Sequence, residues 1–307
     1  MKNPVIISFG GGKGGVGKST MTSNIGALLA QNKRSVGFID ADLGGANLHL
    51  CLGVKRPRHN LQDYLSGRVI KLTDILEKTI VENSWLISGA CDILELANPF
   101  FVQKQKIIHN IKKLDVDYIL VDLGAGSSSN VTDFFAAFST GIIILDGLPT
   151  SIENAYGFLK NGIIRGITRL FPGRKDLKTH FQKFSDPHKD GGFATVTEML
   201  DFLNKHYPEE TKTINEWLLN RKTFLILNMV KYREDIAVAK KFTDIVKKYL
   251  HVNLHFLGYL IDEPEIRRSM REMKPLVMSN PPQKALECFT VITENLMNLT
   301  NGRSRTL

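Results

Sequence analysis

Residues 10–20 read GGGKGGVGKST. From Gly12 onward the pattern is G-x-x-x-x-G-K-S, ending on Gly17, Lys18 and Ser19. A short β-branched run, VIISF at 5–9, precedes it, and a stretch with helical spacing, 18–31, follows it. Strand, glycine-rich loop and helix form the context in which this pattern binds phosphate. Glycines let successive backbone N–H groups turn inward onto phosphate oxygens, and the helix N-terminus adds its positive dipole end. Lys18 is expected to reach the β- and γ-phosphates, and the Ser19 hydroxyl to ligate Mg2+. Gly12, Gly14, Gly15, Val16, Gly17 and Thr20 make up the rest of the cradle. A second lysine, Lys13, stands five positions before Lys18, although a phosphate loop needs only one.

A phosphate loop also needs acid at a strand end. YILVD (118–122) places Asp122 after four apolar or aromatic residues, where a carboxylate can orient Mg2+ through a water. Gly124 and Gly126 follow, and let the backbone approach a γ-phosphate and move when it leaves. A second acidic strand end is GFIDADLGGANL (37–48). Asp40 and Asp42 lie two apart and face the same side if the strand continues. One is expected to support the metal or its waters, and the other to position an attacking water. Guanine readers usually carry Asn-Lys-x-Asp after a late strand. Here FLILNMVKY (224–232) has Asn228 without that Lys and Asp. An Asn amide both donates and accepts, which suits adenine's amino group and ring nitrogen, so the spacing favours ATP over GTP.

The apolar runs at 5–9, 36–40, 85–89, 118–122, 141–146, 224–228 and 255–259 are continuous, not alternating. That is the signature of parallel strands covered on both faces. Helical stretches at 18–31, 101–113, 130–138, 151–170, 232–250 and 283–299 fall between them. The expected fold is a doubly wound, mainly parallel α/β sheet in three layers, of the P-loop NTPase kind. The 307 residues are expected to form a single domain. Residues 171–222 break the rhythm: 171–192 is basic, polar and turn-rich, and 195–220 reads as two short helices broken at Pro208. This stretch is expected to be a helical insertion. Cys51, Cys91 and Cys288 are scattered and unpaired in spacing, which argues for a reducing cytoplasm and against a metal cluster or zinc. No signal peptide or transmembrane run is expected. The net charge of +9 serves solubility, or draws the chain to nucleic acid or an anionic membrane surface.

GKGGVGKST, with its early lysine, resembles the deviant phosphate loop of the MinD/ParA ATPases. DADLGGANLHLCLGV (40–54), DLGAG (122–126), PTSIENAY (149–156), LNMV (227–230) and LGYLIDEPEIRRSMREMKP (257–275) look most like the flagellar-number branch, FlhG, also called FleN. The resemblance covers 4–170 and 223–300. It implies that ATP closes a face-to-face homodimer in which Lys13 crosses to the partner's phosphates. It also implies that Asp42 positions the hydrolytic water with Asn47 close by. Lys18, Ser19, Asp40 and Asp122 then hold phosphates and Mg2+, while Asn228 reads adenine. Loss of the γ-phosphate opens the dimer, giving a slow switch that regulates the placement or number of a flagellum, division site or pole. A regulatory protein partner is implied as well.

Three departures matter. MinD-type relatives carry a basic amphipathic C-terminal anchor, whereas here Leu286, Phe289, Ile292, Leu296 and Leu299 form a stripe with little basic charge opposite. That helix is expected to pack on the body of the protein, and the tail 301–307 is too short to anchor alone. The chain begins at its first strand, so the GTPase-activating function of an N-terminal extension is not expected. Gly147 and Leu148 stand where relatives tend to have Pro-Glu, so the dimer rim should differ. The alternative is a ParA-like partner of nonspecific DNA, through Arg267, Arg268, Arg271 and Lys274 and the basic stretch 165–189. A small-molecule kinase or ligase on the same fold is a third reading. The expected location is cytoplasmic, with peripheral contact at membrane, pole or nucleoid.

Overall fold

Each of the apolar runs becomes a strand. A computed structural model describes residues 3–89, 101–185 and 192–300. Cys91, part of the insertion (186–191) and the tail lie outside them. The strands are β1 (Val5–Gly10), β2 (Val36–Asp40), β3 (Glu77–Lys78), β4 (Ser84–Ile87), β5 (Tyr118–Asp122), β6 (Thr140–Asp146), β7 (Lys222–Val230) and β8 (Leu254–Ile261). They form one sheet in the order β3-β4-β2-β5-β1-β6-β7-β8. Every pairing is parallel except that of β3, which runs antiparallel to β4 at one edge. Nothing in the polar Glu77–Lys78 pair marks a strand. A hydroxyl contact between Thr79 and Ser84, 2.6 Å, links the two ends of the turn that makes it.

The helices are α1 (Lys18–Gln31), α2 (Leu48–Cys51), α3 (Leu61–Leu65), α4 (Phe101–Ile111), α5 (Ser129–Ala137) and α6 (Pro149–Leu170). They continue as α7 (Lys175–Ser185), α8 (Val196–His206), α9 (Pro208–Leu219), α10 (Ala237–Leu250), α11 (Glu265–Arg271) and α12 (Gln283–Thr300). Alternate strand residues feed opposite layers. Along β5, Ile119 and Val121 join a core shared with α4, α5, α6 and α10. Tyr118 and Leu120 join the core under α1 and α12. Phe289, Ile292 and Leu296 of α12 are buried, and α12 packs on β8 and α1, as its stripe suggested. No helix among the described residues is long and apolar enough to cross a membrane.

The stretch 171–192 holds a helix that its polar composition hides. Leu177, Phe181 and Phe184 of α7 recur at helical spacing and are buried. The break at Pro208 is where it was expected, with Tyr207 between α8 and α9 and the proline opening α9. α7 packs on α6 and α8, and α8 on α9 and α10. Trp217 of α9 lies over Gly166 of α6, where any Cβ would run into the indole ring.

One carboxylate ties three helices. Asp133 of α5 meets Lys104 Nζ of α4 at 2.5 Å, and Arg165 Nε and Arg169 Nη2 of α6 at 3.0 Å each. Lys104 and Asp133 are both buried. Removing one partner of a buried pair leaves a charge that nothing compensates. Asp133→Ala is therefore expected to lower the unfolding free energy by about 3–5 kcal/mol, read from denaturant melts. The same change at the exposed Asp176, which pairs with Arg174, should leave the melt almost unmoved.

Candidate functional site

The connection after β1 leads to one side of the sheet, and the strands from β6 onward lie on the other. In doubly wound sheets, ligands sit at the carboxyl ends of the strands where the order reverses. The glycine loop leaves β1 at that point and opens onto a cleft of about 780 Å3. Gly17 caps α1 with φ 93°, a left-handed backbone that favours glycine. A Cβ there would strike the Asn228 amide. Lys18 is buried and curls back so that its Nζ donates to the Lys13 carbonyl at 3.2 Å. Burial lowers its pKa, while Asp122 and Asp42 pull it the other way.

Ser19 Oγ donates to Asp122 Oδ2 at 2.5 Å. The other oxygen of that carboxylate, Oδ1, is buried with no hydrogen-bond partner. Burial drives the Asp122 pKa up to about 7, opposed by the Ser19 hydrogen bond and Lys18. Asp40 lies beside it in register, β2 against β5. Each Asp40 oxygen already accepts a backbone N–H, from Asp42 at 3.1 Å and Leu48 at 3.0 Å. Asp40 thus shapes the 42–47 turn, and its charge bears on the metal site through Asp122. Burial, then Asp122, raises its pKa well above the usual carboxylate range. Asp42 lies past the end of β2, yet its side chain still faces the cleft. It accepts from Gly44 N–H at 3.3 Å, and Gly124 lies against its carboxylate. Asn47 also lines the cleft, its amide donating to the Gly45 carbonyl at 2.9 Å.

These residues fit Mg2+. Among the described residues no three His, Cys, Asp or Glu side chains form a cage for a metal. Mg2+ seldom needs one: it takes one or two protein groups and completes its octahedron with phosphate and water. Ser19 and the orphaned Asp122 oxygen are two such groups.

Gly14, Gly15, Gly17, Lys18, Ser19 and Thr20 line the cleft, as do Asp40, Asp42, Asp122 and Asn228. Three residues of the motif do not. Gly12 accepts from Gly126 N–H at 2.8 Å. The Val16 side chain is fully buried, and its carbonyl accepts from Asn228 Nδ2 at 2.8 Å. That bond fixes the amide's orientation and takes one of its two N–H groups. Oδ1 of Asn228, buried and unpartnered, and the second N–H remain to meet a base. Lys13 lies outside the cleft, its Nζ 3.7 Å from Asp146 Oδ2 and 3.4 Å from Thr150 Oγ1.

The far end of the cleft, built by Met229 near the end of β7, Tyr232 just past it, and Asp262, Glu263, Arg267 and Met270 after β8, had no sequence signal beyond the resemblance. The basic residues considered for DNA are partly paired with acids. Arg268 pairs with Glu265 at 2.7 Å, Lys274 pairs with Glu272 at 3.0 Å, and Arg267 turns to the cleft. Arg165 and Arg169 are held by Asp133.

A loop of this kind, where the strand order reverses over a buried carboxylate, marks the P-loop nucleotide-binding proteins. Comparison with known proteins narrows the class. Residues 7–276 match the family model described as CobQ/CobB/MinD/ParA nucleotide binding domain. The chain belongs to that family and is a P-loop ATPase of the MinD/ParA type, a group that binds ATP with magnesium. It is similar to the antiactivator FleN of Pseudomonas aeruginosa, 24% identical over 299 residues, covering 95% of this chain and 85% of FleN. It is also similar to the flagellum site-determining protein YlxH of Helicobacter pylori, 33% identical over 165 residues, about half of each chain (52% and 53%). The septum site-determining protein MinD of Pyrococcus horikoshii, solved as a complex with Mg-ADP, shares the fold. Its TM-score is 0.67 at 23% identity, covering 98% of this chain and 99% of that one.

Asp122 has a consequence for stability. Its folded-state pKa lies above the unfolded value of 3.8, so its ionisation costs stability. The cost grows as pH rises from about 4 to about 7 and is complete above that. In the nucleotide-free protein, Asp122→Asn should melt several degrees higher than the parent at about pH 8, and close to it at about pH 4.5. Calorimetry without Mg2+ checks this. An equal shift at both pH values would show that ionisation of the carboxylate is not the cause.

Proposed function

We propose that this protein is an ATP-driven dimeric switch that sets the placement or number of a cellular structure. The flagellum site-determining and septum site-determining roles printed for its relatives support that reading. The observation that carries the dimer is the contrast between the two loop lysines. Lys18 is sealed in its own cleft. Lys13 is one-third exposed at the rim, its Nζ 3.7 Å from Asp146 Oδ2. That distance is too long for a hydrogen bond, so a phosphate presented by a second subunit can take the lysine.

In this reading Lys18 cradles the β- and γ-phosphates. Ser19 and Asp122 hold Mg2+, which when bound neutralises phosphate charge, with Asp40 alongside. Asp42 orients the water that attacks the γ-phosphorus, Asn47 lies beside it, and Asn228 accepts from adenine's amino group. Gly124 and Gly126 give the loop after β5 freedom to follow the departing phosphate. Once that phosphate is gone, Lys13 has nothing to bind across the interface and the dimer opens. Only differential affinity for the two states drives such a switch. Leu148, 56% exposed on the cleft rim, is placed to meet the second copy. The protein acts in the cytoplasm, and a regulatory partner brings it to membrane, pole or nucleoid.

With ATP and Mg2+, Asp42→Ala should accumulate as a dimer, measured by light scattering. Lys13→Ala should keep its fold, stay monomeric and lose hydrolysis by about 100-fold or more. Normal turnover by Lys13→Ala, with no dimer at saturating ATP, would falsify the proposal.

A further inference from the structure

Residues 55–78 hold six Lys and Arg against three Asp and Glu, a surplus of three out of the chain's net charge of +9. Three of the cations, Lys55, Arg56 and Arg58, stand in the loop between α2 and α3, and all three are exposed. Among the described residues none of them forms an ion pair. Glu77 approaches this loop through the Arg58 N–H, at 3.5 Å, and not through a cationic head.

The loop is held at both ends. It leaves from buried Val54, whose N–H donates to the His49 carbonyl at 3.0 Å, and Pro57 stiffens its middle. It enters α3 through Asn60, whose side-chain oxygen accepts from the N–H groups of Gln62 and Asp63. Leu61 N–H then donates to the Ser88 carbonyl, just past β4, at 2.9 Å. The chain that leaves α3 joins the same surface. The Asp63 carboxylate lies 3.6 Å from His59 Nδ1 before the helix and 3.4 Å from Arg68 Nη1 after it. The Asp63 carbonyl accepts from Val69 N–H at 3.0 Å. Val69 packs on the core and Leu72 is buried. Between them Ile70 is left outside. It is 83% exposed, more than any other large apolar side chain among the described residues, and it stands between Arg68 and Lys71 in sequence.

We propose that Lys55, Arg56, Arg58, Arg68 and Lys71, with Ile70 among them, form a contact site for an anionic lipid surface. Each Lys or Arg near such a surface adds attraction, and an apolar side chain reaching the acyl boundary adds more. A nucleic-acid backbone would satisfy the cations and leave Ile70 against phosphate and water. A bilayer offers phosphates and, just beneath them, hydrocarbon. Because the loops on both sides of α3 are tied down, little order has to be gained on contact. The site is the chain's own, separate from the nucleotide cleft and from any partner, so it does not rest on the ATP reading.

The test is co-sedimentation at low salt with vesicles of phosphatidylglycerol and phosphatidylcholine in equal parts, against vesicles of phosphatidylcholine alone. The parent should bind the anionic vesicles, leave the neutral ones, and come off as salt is raised. The triple variant Lys55→Glu, Arg56→Glu, Arg58→Glu should bind about 100-fold less or weaker still, at an unchanged melting temperature because its substitutions are exposed. Ile70→Ser should bind about fivefold less. Ile70→Trp should keep binding, and its emission should move to the blue on the anionic vesicles only. Absence of parental binding would overturn the proposal. So would equal binding by the parent and the triple variant, which would put the lipid contact elsewhere in the chain. An unshifted emission from vesicle-bound Ile70→Trp would overturn it as well. Retention on duplex DNA without vesicle binding would assign these cations to nucleic acid, and the lipid site would be wrong.

Discussion

A carboxylate sealed inside a protein with one oxygen unbonded is costly to keep charged. Asp122 sits in that state at the end of β5, in register with Phe9 of β1 and Asp40 of β2. Two acids at the same height on adjacent strands repel, and the ladder between them allows neither to move away. The sheet can hold them there because both its faces are filled, by Ile119 and Val121 on one side and Tyr118 and Leu120 on the other. Cations are what the site lacks. Lys18 supplies one from the adjoining loop, and the direction of α1 brings Ser19 within hydrogen-bonding reach. The glycines, the helix start and the buried acids thus answer a single electrostatic requirement.

Much of this was legible because the relevant signals are local. The parallel strands announce themselves as continuous apolar runs, and α1 begins at the lysine of the motif. Asp122 is visible as the polar end of an apolar run. What stayed hidden depends on distant partners. Asn228 was legible as a polar strand end, but its bond to the Val16 carbonyl, which takes one of its two amide N–H groups, spans 212 residues of sequence. The left-handed turn at Met229 follows from the register with β8, and no property of methionine foretells it. α7 was missed because only Leu177, Phe181 and Phe184 carry its periodicity within a polar stretch. Around α11 the pairing of Arg268 with Glu265 and of Lys274 with Glu272 depends on side-chain geometry that spacing alone does not set.

The two loop lysines show how position decides the use of a charge. Lys18 has given up solvent and is bound to its own chain's chemistry. Lys13 keeps water on one side and a weak carboxylate contact on the other. Four residues of glycine-rich backbone separate a buried lysine from one that is a third exposed.

Strand β7 has a mechanical side. Just before it, Arg221 grips the end of α5, donating to the carbonyls of Phe135, Ala136 and Phe138 at 3.1–3.5 Å. Near its other end, Asn228 is bolted to the phosphate loop. Between the two bolts runs roughly 20 Å of strand, clamped sideways by β6 and β8. A rod pinned at both ends does not absorb displacement; it passes it on. Helix α9 leads directly into that rod, so the inserted helices and the floor of the nucleotide cleft stand at the two ends of one continuous strand.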